Sequence, residues 1–276
     1  MPPSTSKRTL ITNADDFGFT RDVNEGIVDA HTRGILTATT LMANGAAFDH
    51  AVALAKATPT LDIGCHLVLV GGESLSRPGI KLPESVPALM AAITTGQLDP
   101  YAELRPQVER IIASGMAPSH LDTHKHTHLF PPVLDAVARL SQEFGIRWVR
   151  KPFDALGLEV KAPLGVRATA AGIGLRRFSF EAKLREYGCR ATDHFFGFQI
   201  TGRFGTPELA AVIAQLPEGT SEFMCHPGRL GDELRAAPTR LKESRQWELD
   251  ALVAPEVRAA LEANGVTLSN YRESPA

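Results

Sequence analysis

Short apolar segments typical of buried strands alternate with segments of helical periodicity along this 276-residue chain. Such alternation predicts an α/β fold with a parallel sheet. The predicted strands lie at residues 8–13, 35–43, 62–70, 120–130, 146–152, 189–200, 220–228 and 266–273. The predicted helices lie at residues 22–33, 48–57, 100–115, 131–144, 176–188, 206–216, 239–252 and 255–263.

Seven or eight such units without a linker favour a single-domain (β/α) barrel-like fold over two domains. We therefore predict one catalytic domain over residues 8–276, a distorted or incomplete TIM barrel, after a disordered leader at 1–7. An open doubly wound sheet is the alternative, but it should carry a glycine-rich phosphate loop where Asp15 and Asp16 stand.

Two connecting stretches are less regular. Residues 71–98 are rich in Gly, Pro and Ser, apart from an apolar patch at 86–93. This insertion is too long for an ordinary connection, which predicts a functional loop or lid. The Ala- and Gly-rich stretch before residue 176 is predicted to be loop, and Pro106 is expected to kink its helix or delay its start.

Composition narrows the cellular setting. The net charge of −2 provides no electrostatic basis for binding nucleic acid. No apolar run approaches the roughly 20 residues that span a bilayer. The three cysteines are odd in number and lack C-x-x-C spacing, which argues against a disulfide framework. A cytoplasmic protein is therefore expected.

The stretch HLDTHKHTHLFPP, residues 120–132, holds four of the nine histidines and an aspartate. All five fall at even positions, and alternate side chains of a strand point to one face. A continuous strand would therefore present an imidazole and carboxylate ridge suited to a cation. Positions four apart on a strand are about 13 Å apart, so the ridge should supply one or two ligands to any single ion. The ridge consists of His120, Asp122, His124, His126 and His128.

Further polar groups stand at the ends of other predicted strands, where barrel enzymes collect their catalytic groups. Asp15 and Asp16 follow the first strand, and His66 lies on the third. Two imidazoles and a carboxylate with an open position form a catalytic metal site. The nitrogen and oxygen donors favour Zn²⁺ and are compatible with other divalent ions, including Mg²⁺. On an extended strand Asp15 and Asp16 would point apart, so we expect one to bind metal and the other to handle protons.

Two residues outside these motifs are also candidates. His226, in MCHPG at the end of the seventh strand, is either a turn residue or a general acid with a pKa near physiological pH. Arg150 is expected either to contact a substrate or to form a structural ion pair.

Five segments resemble the YdjC-like carbohydrate deacetylases, a family that includes chitooligosaccharide deacetylases and a hopanoid-biosynthesis-associated branch. The resemblance extends over nearly the whole chain and implies a barrel-like fold related to the polysaccharide deacetylases. It also implies hydrolysis of an acetamido group and suggests a homodimer. The segments are ITNADDFGFTRDVNEGI, LTATTLMANG, DIGCHLVLV, SHLDTHKHTHLFP and EFMCHPG.

Carried over by position, the resemblance implies that Asp16, His66 and His124 are the metal ligands. It makes Asp15 the general base and His226 the acid or a transition-state contact. Other candidates are expected to orient ligands or contact the substrate: Asp122, His126, His128 and Arg150.

The implied substrate is an N-acetylglucosamine-type sugar, either a chitooligosaccharide or a lipid-linked sugar as in the hopanoid-associated branch. A metal-dependent phosphoesterase is the enzymatic alternative, but it should need a second metal and more cationic residues. A non-catalytic metal-binding protein is the other alternative, but it should close the coordination sphere of its ion.

Overall fold

Seven parallel strands curl into a barrel in the computed structural model, which describes residues 8–155 and 162–274. The predicted leader at 1–7 lies outside these residues. An eighth strand pairs with the first strand off the main path. The strands are β1 (Arg8–Phe17), β2 (Ala38–Leu41), β3 (Asp62–Leu67), β4 (His120–Thr123), β5 (Trp148–Val149), β6 (His194–Phe196), β7 (Gly219–Cys225) and β8 (Val266–Leu268).

Helices cover the outside of this sheet, so the α/β prediction is confirmed. They are α1 (Arg21–Arg33), α2 (Phe48–Ala57), α3 (Val86–Thr94), α4 (Pro100–Ala113), α5 (Pro131–Phe144), α6 (Leu164–Gly174), α7 (Arg177–Glu186), α8 (Thr206–Ala214), α9 (Asp232–Ala236), α10 (Glu243–Val253) and α11 (Pro255–Ala263).

The order of the strands is β5-β4-β3-β2-β1-β7-β6, and the two outer strands approach each other to complete the barrel. The Val149 backbone N–H donates to the Arg190 carbonyl at 2.8 Å, and the Ala155 N–H donates to the Phe195 carbonyl at 2.9 Å. These bonds join the β5 segment to the β6 segment outside regular strand pairing. The barrel is therefore nearly closed but irregular at this seam, as the sequence predicts.

Most strands are shorter than predicted, because bends, turns or a 3-10 helix occupy several of the predicted strand residues. The helix starting at Pro100 runs through Pro106 without a delayed start. The Ala- and Gly-rich stretch was wrongly predicted to be loop, since α6 occupies it. The 71–98 insertion contains α3, and its first half folds back through a bridge between Glu73 and Lys81.

The predicted histidine ridge is wrong as a continuous strand. β4 ends at Thr123, and residues 124–129 form a 3-10 helix. Lys125 and His126 inside it adopt positive φ angles of 55° and 50°. This left-handed pair breaks the period-two alternation, so the five polar side chains separate to different surroundings.

Apolar side chains fill the space between barrel and helices. Cys65 and Cys225 belong to this buried core. No helix among the described residues has the length and apolar character that crossing a membrane requires.

Candidate metal and catalytic site

A local irregularity at the end of β1 brings both of its aspartates to the carboxyl end of the barrel. Asp16 has a φ of 70°, and the register between β1 and β2 shifts between Ala14 and Phe17. The bulge lets two consecutive carboxylates serve one site, which a regular strand would prevent. Asp15 and Asp16 are both buried.

Three donor atoms converge beside this bulge. The Asp16 Oδ1 atom lies 3.3 Å from His66 Nε2 and 3.2 Å from His124 Nδ1. The two ring nitrogens are 3.2 Å apart. Atoms bound at about 2.0–2.2 Å to one tetrahedral ion are separated by about 3.3–3.6 Å, so the triangle is close to the size that such an ion requires.

The chemistry of the donors also fits a divalent cation. Asp16 Oδ1 is buried and has no well-formed hydrogen bond among the described residues. Burial opposes ionisation of Asp16, but Arg245 and the two histidines outweigh it and hold the pKa of this carboxyl well below its usual range. An ionised oxygen facing two imidazoles is a ready ligand set, and partial exposure of His124 leaves one side open.

Asp122 orients the His66 ring for binding a cation. Its Oδ1 atom accepts a hydrogen bond from His66 Nδ1 at 2.7 Å, which orients the ring so that Nε2 faces Asp16. Thr40 donates to the other carboxylate oxygen of Asp122 at 3.1 Å. Such a carboxylate contact fixes the orientation of a metal-binding imidazole.

Arg150 lies beneath the site as the centre of an ion-pair network. Its fully buried guanidinium bonds to Asp15 at 2.7 Å, Asp122 at 2.7 Å and Glu222 at 2.6 Å. Burial alone would raise the pKa of Asp15, but Arg150, together with His66 and His226, outweighs burial and keeps that pKa below its ordinary range. The buried guanidinium thus forms structural ion pairs, one of the two roles predicted for Arg150, and its contact with a substrate stays a prediction.

The same network distinguishes two possible cation sites, which share His66. Asp15, His66 and Asp122 also lie close enough to hold an ion. However, the Arg150 guanidinium already bonds to both carboxylates of that group. The group around Asp16 is therefore the better cation site.

His226 faces the second carboxylate of the site. Its Nε2 atom lies 3.8 Å from Asp15 Oδ2. Burial lowers the pKa of His226 to about 4 despite the nearby carboxylates, so the imidazole is neutral at pH 7. Its backbone N–H donates to Glu248 at 2.5 Å, which fixes the turn that carries the ring.

The remaining ridge histidines take separate positions. The buried His128 contacts Thr123 Oγ1 at 2.5 Å and the Arg150 carbonyl at 3.0 Å, a position that suits a supporting residue. His126 packs against Phe195 and Phe198, with ring centroids 6.1 and 5.6 Å away. Contact between His126 and a substrate stays a prediction.

Comparison with known proteins places the chain in a family. The sequence model of the YdjC-like protein family matches residues 9–263, most of the chain. The chain belongs to the YdjC-like family.

Relatives of this YdjC-like chain carry deacetylase names. A carbohydrate deacetylase of Brevibacillus brevis is 32% identical, with 96% of this chain and 98% of the relative covered. A chitooligosaccharide deacetylase of Klebsiella pneumoniae is also 32% identical, covering 97% of this chain and 99% of the relative. A crystal structure of a protein from Enterococcus faecalis V583, named for cellobiose-phosphate cleavage, shares the fold. Its TM-score is 0.75 at 24% identity, and the match covers 97% of this chain and 98% of that chain.

Sequence reasoning missed three charged residues of this YdjC-like site. Glu222 on β7 bonds to Arg150, while Arg245 and Glu248 reach the site from α10. Glu222 lies four residues before His226 in a predicted strand, and a charge in a buried strand is a usable signal. Arg245 and Glu248 lie on a helix with ordinary charge content, so nothing local distinguishes them.

Proposed function

We propose that this protein is a metal-dependent carbohydrate N-deacetylase, which hydrolyses the acetamido group of an N-acetylglucosamine-type sugar and releases acetate. The observation that carries the proposal is the convergence of Asp16, His66 and His124 next to a second carboxylate, Asp15. The deacetylase names of the relatives support the same reaction class.

Asp16, His66 and His124 would hold the ion, with Zn²⁺ favoured by two imidazoles and Mg²⁺ the less suited alternative. A divalent ion in such a site lowers the pKa of water and polarises a carbonyl oxygen. The open side at the partly exposed His124 provides room for the acetyl group.

Asp15 acts as the general base in this proposal. Arg150 holds both oxygens of its carboxylate, at 2.8 and 2.7 Å, and so fixes its direction. The low pKa makes Asp15 a modest base, but it also makes the protonated acid a ready donor for the next step. Asp15 thus takes a proton from the attacking water and gives it up as the C–N bond breaks.

His226 completes the transfer. A neutral imidazole 3.8 Å from Asp15 can accept that proton after small side-chain movements and pass it to the leaving nitrogen. The products are acetate and a free amine on the sugar.

The two alternative functions fit less well. A phosphoesterase should present unpaired cationic groups to its substrate, yet Arg150 and Arg245 are both bonded to carboxylates. A non-catalytic metal protein has no use for a second carboxylate and a neutral histidine beside the ion. Among substrates, a chitooligosaccharide is favoured by the names of the relatives, with a lipid-linked sugar as the second candidate.

Acetate release provides the test. The purified protein, stripped of metal and then supplied with Zn²⁺, is incubated with chitobiose, longer chitooligosaccharides and an N-acetylglucosamine glycolipid. We expect zinc-dependent acetate release from at least one of them. Tight zinc binding with no acetate from any of them would favour the non-catalytic alternative.

Replacing the base isolates its role. Asp15→Asn should lower kcat by about 10²- to 10⁴-fold, because general base catalysis contributes on that order. The matched control is Asp49→Asn, at an exposed position on α2, which should keep full activity. An Asp15→Asn enzyme that holds zinc and turns over at the normal rate would remove Asp15 from the mechanism.

A further inference from the structure

Arg245 connects α10 to the proposed metal ligand on β1. None of the sequence motifs of the site includes this helix. Arg245 lies 229 residues from Asp16 in sequence, and its Nη2 atom forms an ion pair with Asp16 Oδ2. The side chain of Arg245 is only 2% exposed, so this ion pair is shielded from water. A shielded charged hydrogen bond is stronger and more directional than an exposed one.

The two oxygens of Asp16 therefore have separate partners. Oδ1 faces His66 Nε2 and His124 Nδ1 at 3.3 and 3.2 Å. Oδ2 is held by Arg245. The carboxylate can thus offer one oxygen to an ion, and the ion pair opposes a rotation that would present both.

Arg245 is itself held from several sides. Its Nε atom donates to the Leu241 carbonyl at 3.3 Å, and its carbonyl accepts from the Gly228 N–H at 3.1 Å. A Cβ atom at Gly228 would lie only 3.3–3.4 Å from the Arg245 side chain, and the guanidinium lies 5.8 Å from the centre of the Phe19 ring. The guanidinium is therefore pre-positioned before any ion binds.

We propose that Arg245 is a positioning residue, which fixes Asp16 as a single-oxygen ligand and so sets the metal affinity of the site. This inference rests on the proposed metal site, but not on the identity of the substrate. Removing the guanidinium would leave Asp16 Oδ2 buried without its charged partner and free the carboxylate to rotate. Loss of such a supporting contact typically weakens metal binding by about 10- to 100-fold.

The test measures zinc affinity directly, by competition with a chromophoric chelator at fixed pH and ionic strength. Arg245→Met should bind zinc about 10- to 100-fold more weakly than the wild-type protein. Arg245→Lys keeps a positive charge without the planar contact, so its affinity should fall between the two. With saturating zinc, the loss of activity that a misoriented Asp16 causes should appear in kcat and not in KM, because the buried Arg245 side chain bonds to Asp16.

The control is Trp247→Ala on the same helix, where the side chain is 56% exposed and should leave zinc affinity unchanged. Circular dichroism establishes that each variant is folded. If Arg245→Met does not fold, the zinc affinity of Arg245→Lys is used for the test. A zinc affinity within twofold of wild type, in Arg245→Met or in this substitute, would overturn the proposal. A wild-type protein that binds zinc but deacetylates no sugar would contradict the proposed function alone, because the affinity measurement needs no substrate.

Discussion

At the scale of single residues, His66 shows how the surroundings set the behaviour of one group. Burial by itself would lower the pKa of His66, but Asp122, together with Asp16 and Asp15, outweighs burial and raises it to about 10. The raised pKa stabilises the metal-free fold fully below the unfolded pKa of about 6.5. That stabilisation is lost as pH rises through about 10. A proton therefore occupies at neutral pH the nitrogen that faces the other proposed ligands.

Zinc binding should therefore depend on pH. Because zinc must displace this proton, we expect the apparent affinity to rise by about tenfold per pH unit between pH 6.5 and 8.5. The measurement is a chelator competition in buffers that do not bind zinc. Asp122→Asn removes the main carboxylate partner of His66 and should flatten the slope. A wild-type affinity that is constant over this range would contradict the protonation state inferred for His66.

At the scale of elements, the left-handed turn after β4 decides where the histidines point. Lys125 and His126 both have positive φ angles, which cost a residue with a Cβ atom about 1–2 kcal/mol each. Thr123 stabilises the turn, because its hydroxyl accepts from the His128 backbone N–H at 3.1 Å. The turn that follows His124 is thus locally strained, and it places His124 at the mouth of the barrel.

The strain can be measured at the exposed Lys125. Lys125→Gly should be more stable than Lys125→Ala by about 1 kcal/mol, because glycine has no Cβ atom to oppose a positive φ. Both variants remove the same charge, so their difference isolates the backbone term. Urea denaturation gives the two free energies of unfolding. Equal stabilities, or a more stable alanine variant, would argue against a left-handed residue at this position.

At the scale of the whole molecule, the C-terminal segment closes the barrel end opposite the site. Tyr271 is 3% exposed, and its ring stacks on His120 at 3.8 Å. Asp62, at the start of β3, accepts from the Tyr271 backbone N–H at 3.0 Å and pairs with Arg272 at 2.9 Å. His120, expected in the metal-facing ridge, instead points into this end and contacts Asn13 at 2.9 Å.

This closure predicts separate effects on stability and metal binding. Tyr271→Ala should destabilise the fold by about 3–5 kcal/mol, as is usual for truncating a buried aromatic residue. Tyr271→Phe keeps the stacked ring and should lose much less. Zinc affinity of folded Tyr271→Ala should change much less than its stability, because the ring stacks on His120 and reaches the site through Glu222, which bonds to Arg150. Denaturant unfolding and chelator competition check the two parts, and a loss of zinc-binding free energy as large as the loss of stability would show that the two ends are strongly coupled.

The sequence by itself determined the fold class and the main site positions, because these depend on local periodicity and on residue type. Alternating strands and helices predicted the barrel, and polar groups at strand ends predicted a site at one edge. The choice of Asp16, His66 and His124 as ligands came from the resemblance to the YdjC-like family. What it could not give were features that depend on three-dimensional contact. A backbone bulge turns Asp16 beside Asp15, a left-handed turn disperses the histidine ridge, and α10 brings Arg245 across 229 residues to the ligand. Tertiary packing decides these features, because their partners are distant in sequence and the backbone strain of the turn is stabilised by surrounding contacts.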